Sequence, residues 1–225
     1  MQTIVKNMII KLGRGWSHTI VCGKSNESFI RNIVSTSNIK IIVTENECTC
    51  IDEYSSLLGS EYFWNLLSGD KILIYQEDSW LFHYSQATME RCLYYDYVGA
   101  PFSEVHNDTP NLVGNGGFSL RTRKIMLDVI KNYPIAQFNS LTSFTKDYMA
   151  KNNLTIPPED IYFSVNMQNM GIGNVSPPHI AGAFSTESVY NAFSMGGHKF
   201  WISDNMWEKR VSDSIETFFA LNDYA

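Results

Sequence analysis

Lys71-Ile72-Leu73-Ile74-Tyr75-Gln76-Glu77-Asp78-Ser79 is the stretch on which the reading of this chain turns. Ile72 to Tyr75 are all apolar and three are aliphatic, the pattern of a short strand buried on both faces. The run then breaks into Gln-Glu-Asp-Ser. In open α/β sheets ligands sit in the crevice outside the carboxyl ends of strands, so an acidic pair there faces a site. Carboxylate oxygens suit a hard divalent cation, and such a cation suits a nucleoside diphosphate. The competing reading is that Glu77 and Asp78 are solvated residues opening a turn.

On the N-terminal side of that stretch, Tyr54 to Leu67 carries an apolar helical face ended by Ser68-Gly69. Ile39 to Thr44 reads as a strand, Asn26 to Ile33 as a helix, His18 to Cys22 as a strand, and residues 2–12 as an amphipathic helix ended by Gly13. On the C-terminal side, Glu90 to Tyr94 closes a short helix and Tyr95 to Pro101 is a strand. Residues 103–113 are a polar loop, Gly116 to Arg121 a strand, Thr122 to Asn132 a helix, Pro134 to Ser140 a loop and Thr142 to Asn152 weakly helical. Glu159 to Met170 is a helix behind Pro157-Pro158, residues 171–197 are irregular, and Glu208 to Phe219 is a last helix. The strand–helix alternation predicts α/β architecture with a parallel, helix-covered sheet. Without repeats, linkers or charge blocks, residues 1–225 read as one domain.

Composition excludes several classes. Hydrophobic content of 44% with 18% charged residues describes a globular protein with a sizeable core. A net charge of −6 argues against a nucleic acid held by a basic surface. No apolar run is long enough for a membrane span, and the first residues lack the h-region and cleavage site of a signal peptide. The cysteines at 22, 48, 50 and 92 fit no paired ligand spacing and are expected reduced. The cytosol is the expected compartment, and the sequons at Asn26, Asn107, Asn153 and Asn174 carry little weight there.

Three further stretches carry chemistry. Gly114-Asn115-Gly116-Gly117-Phe118-Ser119 permits close backbone approach to a ligand, although Asn-Gly is also a leading hairpin-turn signal. Glu159-Asp160 open a helix, where carboxylates are favoured by the dipole and where one could also take a proton from a bound hydroxyl. Gly196-Gly197-His198-Lys199-Phe200-Trp201 offers a histidine that is either a metal ligand or a loop residue.

In this order the stretches resemble the GT-A fold of nucleotide-sugar-dependent glycosyltransferases. More closely, the chain is similar to a poorly characterised glycosyltransferase-like family, catalogued as a domain of unknown function, of large DNA viruses, bacteria and fungi. Phe63-Trp64, Ile74 to Ser79, Asp96 to Pro101, Gly114 to Arg121, Glu159 to Phe163 and Gly197 to Lys199 carry the resemblance. It implies a GT-A-like α/β fold with a central, mainly parallel sheet flanked by helices. It also implies transfer of a sugar from a nucleotide-sugar donor, foremost a UDP-sugar, to a glycan or other hydroxyl acceptor with inversion.

In that scheme Gln76-Glu77-Asp78 replaces the usual Asp-x-Asp. Asp78 binds Mn²⁺ or Mg²⁺, Gln76 or Glu77 contacts ribose or metal, and His198 is a late metal ligand. Gly116 and Gly117 line donor or acceptor. Asp160 is the general base, and Glu159 orients sugar hydroxyls. The chain departs from the pattern where Gln76 removes one carboxylate. It departs again at its start, where a first strand carrying part of the base site is expected; it then reads as a piece of a longer protein, or grips the base elsewhere. A non-catalytic sugar- or nucleotide-binding module and a metal-dependent hydrolase of a diphosphate or glycoside are the rival readings.

Overall fold

The computed structural model describes residues 1–34, 39–103, 113–137 and 143–222, with the side chains at 143–144 and 217–222 left aside. Most of the expected polar loop at 103–113 and the end of that at 134–140 fall outside them. Helix α1 (Gln2–Leu12) leads into β1 (Thr19–Gly23), α2 (Glu27–Ile33) and β2 (Lys40–Thr44). Next come α3 (Ile51–Leu58), α4 (Glu61–Leu66), β3 (Lys71–Tyr75), β4 (Ser79–Leu81) and α5 (Gln86–Leu93). Then follow β5 (Tyr97–Pro101), β6 (Val113–Thr122), α6 (Arg123–Asn132), α7 (Ser143–Lys151) and α8 (Glu159–Met170). The chain continues through α9 (Pro178–Phe184), β7 (Ser185–Thr186), β8 (Gly196–His198) and α10 (Trp207–Asn222).

The expected central, mainly parallel sheet does not form, and the GT-A-like fold inferred with it is corrected accordingly. Among the described residues the strands make three small sheets: a parallel pair β1–β2, an antiparallel sheet β3–β6–β5, and a mixed sheet β4–β8–β7. Both β3 and β5 pair antiparallel with β6, so they run in the same direction with β6 between them. The α5 segment between β3 and β5 therefore joins two strands that do not pair with each other, and the alternation along the chain misleads here. It does not reveal that a later strand takes the place between them.

Other local outcomes have local causes. The helix expected over 54–67 is two helices, because Gly59 packs under Ile135 and Ser60 restarts the backbone by accepting a hydrogen bond from Phe63 N–H at 3.3 Å. The Gly114–Gly117 run is not a hairpin turn but lies inside β6, with Asn115 paired to Ala100. The stretch at 171–197 contains α9, β7 and the start of β8.

Alternation along the β3–β6–β5 sheet buries both of its faces. Ile72, Ile74 and Tyr97 join Trp64, Met126, Tyr162 and Phe163 on the side of α3, α4, α6 and α8. Leu73, Tyr75, Val98, Phe118 and Leu120 join Met8, Leu81, Met89, Phe184 and Met195 on the other. Strand β6 is the axis of this arrangement, and the candidate site gathers along its glycine-rich half. No helix among the described residues is long and apolar enough to cross a membrane.

Candidate functional site

Glu77 and Asp78 are the corner of a turn after β3, closed by the Ser79 N–H donating to Gln76 O at 3.1 Å. The turn is fastened to β6. Gln76 N–H donates to Gly117 O at 2.9 Å, and the buried Ser79 hydroxyl donates to the same carbonyl at 2.9 Å. Glu77 points to solvent, whereas Asp78 faces β8. The cause is register: β4 and β8 pair Ser79 with His198, and Lys199 N–H donates to Asp78 O at 3.2 Å. Two stretches 120 residues apart in sequence are thereby fixed side by side, because the short β4 has β8 as its partner.

His198 is 5% exposed and lies between two carboxylates. Its Nε2 is 3.0 Å from Asp78 Oδ1, and its Nδ1 is 3.0 Å from Glu187 Oε2. The distances are equal but the geometries are not. The Glu187 contact is aligned as a hydrogen bond, whereas Asp78 Oδ1 and His198 Nε2 are buried without a hydrogen-bond partner. Burial alone would lower the imidazole pKa, but the flanking carboxylates outweigh it and raise it to about 9. Burial likewise opposes the Asp78 charge, and His198 with Lys199 (Nζ 3.9 Å from Oδ2) outweighs it, so the Asp78 pKa is lowered.

Asp160 stands in the first turn of α8, on the other side of the β6 glycines. Gly116 N–H donates to its Oδ2 at 3.1 Å and Ile161 N–H to its Oδ1 at 2.8 Å. Burial and then the neighbouring Glu159 charge, with a smaller contribution from Glu187, raise its pKa to about 7. Glu159 is 4% exposed and both its oxygens are engaged by Arg121, with Nη2–Oε1 at 2.9 Å. Arg121 in turn stacks on Tyr97 and Phe163 and donates to Ser119 Oγ. Glu159 is thus the anchor of a buried cation rather than a group open to a sugar. Tyr54 ties the two halves together: its hydroxyl accepts from Gln76 Nε2 at 2.8 Å, and burial with the Glu159 charge raises its pKa.

The glycines are seats for these groups. A Cβ on Gly116 would lie 2.6 Å from Arg121 Nη2 and Glu159 Oε1, and one on Gly117 would lie 2.3 Å from His198 Cγ. The space that the sequence offers to a ligand at these positions is filled by the protein's own side chains. Beyond the cluster, an open groove of ≈ 570 Å³ lined by Pro101, Phe102, Tyr190 and Phe193 contains none of the carboxylates.

Among the described residues, no group of three or more His, Cys, Asp and Glu side chains is disposed to hold a metal ion. Asp78 with His198 is a two-ligand set, which suits a cation that takes its remaining ligands from water and substrate phosphates. Asp78 Oδ1 and His198 Nε2, buried and 3.0 Å apart, would both ligate such an ion once the imidazole gives up its Nε2 proton.

A family model described as "Protein of unknown function (DUF5672)" matches residues 37–200, more than half of the chain. The chain belongs to the DUF5672 family. That match takes in the 76–79 turn, the β6 glycines, Asp160, Glu187 and His198 and leaves out α1, β1, α2 and α10. No curated protein and no solved structure matches this DUF5672 chain. The family description states no activity, so function is argued from the site itself.

Sequence reasoning gave no role in the site to Glu187, Tyr54 or Arg121. Glu187 lies in the stretch expected to be irregular and follows a strand of two residues, too short to leave a periodic signal. Arg121 could have been suspected as a cation within an apolar strand, since a buried guanidinium demands a carboxylate.

Proposed function

We propose that this protein transfers a sugar from a nucleotide-sugar donor, a UDP-sugar foremost, to an acceptor hydroxyl with the help of a divalent cation. The observation that carries the reading is the juxtaposition of Asp78 Oδ1 and His198 Nε2, both buried and 3.0 Å apart. They lie on one side of the β6 glycines, and a carboxyl group with a pKa near neutrality lies on the other.

Asp78 and His198 would hold Mn²⁺ or Mg²⁺, whose contribution when bound is to neutralise the leaving diphosphate as a Lewis acid. Mixed oxygen and imidazole ligation suits Mn²⁺ at least as well as Mg²⁺. Lys199, beside Asp78, adds positive charge on the same side. Gln76 is held by Tyr54 with its amide at the edge of the turn and would contact donor hydroxyls. Asp160 would take the proton from the acceptor hydroxyl. A base works best when its pKa lies near the operating pH, and its raised pKa meets that condition. Proton removal on the face opposite the leaving group gives inversion. Glu159 and Arg121 tie the start of α8, and with it Asp160, to the β6 backbone.

The deciding experiment is calorimetric titration of UDP into the protein with Mn²⁺ and then with EDTA. The reading requires binding that depends on the metal and disappears in Asp78→Ala. Equal behaviour with and without the metal, or in the wild type and the variant, would remove the metal from the scheme and the nucleotide-sugar reading with it.

A further inference from the structure

We propose that Glu187 is the positioning residue of the site: its carboxylate holds the proton of neutral His198 on Nδ1 and so turns the Nε2 lone pair towards Asp78. The argument begins with alignment. His198 has carboxylates 3.0 Å from each ring nitrogen, yet only Glu187 Oε2 lies where an Nδ1–H can donate to it. A neutral imidazole carries one N–H, and the nitrogen with the aligned acceptor keeps it.

Backbone pairing fixes where that acceptor stands. Strand β7 runs parallel to β8 with Thr186 beside Gly197, which sets the next residue, Glu187, alongside His198. The Ser203 hydroxyl donates to Glu187 O and holds the strand end from the other side. The imidazole cannot tilt away, because its ring lies against Gly117, where a Cβ would come within 2.3–2.5 Å of three ring atoms.

A carboxylate on the far nitrogen of a histidine fixes the tautomer, orients the ring and raises the basicity of the free nitrogen, and its loss typically costs 10–100-fold in metal affinity. That consequence rests on the metal reading given above, whereas the tautomer does not. Long-range ¹H–¹⁵N correlation of the metal-free protein at about pH 10.5, above the imidazole pKa of about 9, reads the tautomer directly. The wild type should carry the proton on Nδ1. Glu187→Gln, whose amide oxygen still accepts, should keep it there, and Glu187→Ala should move it towards Nε2.

Titration of UDP with Mn²⁺ into the same three proteins should then show binding weakened 10–100-fold in Glu187→Ala and restored for the most part in Glu187→Gln. A wild-type imidazole protonated on Nε2, or an Ala variant with the wild-type tautomer, overturns the proposal. The wild-type spectrum decides this even where the Ala variant does not fold. The expected tautomers without any metal-dependent UDP binding would uphold Glu187 as the positioning residue and overturn the metal reading alone.

Discussion

The imidazole of His198 rests on the backbone of Gly117, so closely that a Cβ there would fall 2.3 Å from Cγ and 2.4 Å from Nδ1. Gly117 therefore does two things through its main chain. Its carbonyl accepts from Gln76 N–H and the Ser79 hydroxyl, and its bare Cα seats the ring that meets Asp78. Gly117→Ala should push the ring out of line with both Asp78 and Glu187. Overpacking of this kind costs about 1–3 kcal/mol of stability. Thermal unfolding should report that loss, and UDP binding with Mn²⁺ should fall at least about tenfold, since each 1.4 kcal/mol lost from binding is tenfold in affinity. Unchanged binding in a destabilised variant would separate the ring's packing from any role in the site.

Asp160 gives a pH signature in both stability and rate. Its folded-state pKa is raised to about 7, above the unfolded value of about 3.9. Between those values the native state retains a proton that the unfolded chain has released, so stability falls as pH rises. The contribution of Asp160 is fully present below about pH 4 and is lost as pH passes about 7. Asp160→Asn should flatten that decline in urea unfolding measured at intervals between pH 4 and 8. It also costs one of the two backbone hydrogen bonds to Gly116 and Ile161, at every pH alike. Turnover, by contrast, needs the ionised form, so the rate should climb through about pH 7. It should drop about 10²–10⁴-fold in the Asn variant with UDP binding retained. A variant that keeps both its rate and the wild-type slope would leave Asp160 with no part in proton transfer.

Much of this was legible in the sequence, and what was not has definite causes. The β3 segment announces itself as an apolar run that stops at Gln76, and Pro157-Pro158 followed by two acids sets the start of α8 at Glu159. The sheet was not legible, because pairing depends on which strand takes the place between β3 and β5, and β6 does so from farther along the chain. Asn115-Gly116 carries a local turn signal that loses to packing: Arg121, Glu159 and His198 all press on Gly116 and Gly117, and a strand with no side chain at these two positions accommodates them. Asp78 and His198 could each be named, but their meeting rests on the three-residue pairing of β4 with β8. Glu187 follows β7, for which no periodic pattern exists.

Ser79 tests whether the turn that carries Asp78 must be pinned. Its side chain is buried, donates to Gly117 O at 2.9 Å and accepts from Gln76 N–H at 3.1 Å. Ser79→Ala removes both contacts. Gln76 N–H still has Gly117 O, at 2.9 Å, and that carbonyl keeps a donor, so neither group is orphaned. The expected cost in urea unfolding is therefore at the low end for a buried hydrogen bond, about 1 kcal/mol. A loosened turn also lets Asp78 move off His198, so UDP binding with Mn²⁺ should weaken by more than the change in stability implies.

The Arg121–Glu159 pair separates structure from chemistry at the start of α8. Both side chains are buried, the carboxylate is bound at both oxygens, and the guanidinium also stacks on Tyr97 and donates to Ser119. Removing one partner leaves an uncompensated buried charge, which costs about 3–5 kcal/mol. Replacing both with apolar groups of similar volume removes that penalty, so the double variant Arg121→Met, Glu159→Leu should be more stable than either single variant. Urea unfolding of the four proteins gives the coupling directly. The same cycle bears on Asp160, whose pKa is raised in part by the Glu159 charge. In the double variant that contribution is gone, and the rising limb of the rate profile should move to lower pH while activity persists. A profile that stays near pH 7 would leave burial, with the smaller Glu187 charge, as the cause of the shift. Loss of activity with the fold intact would mean that Glu159 meets the substrate after all.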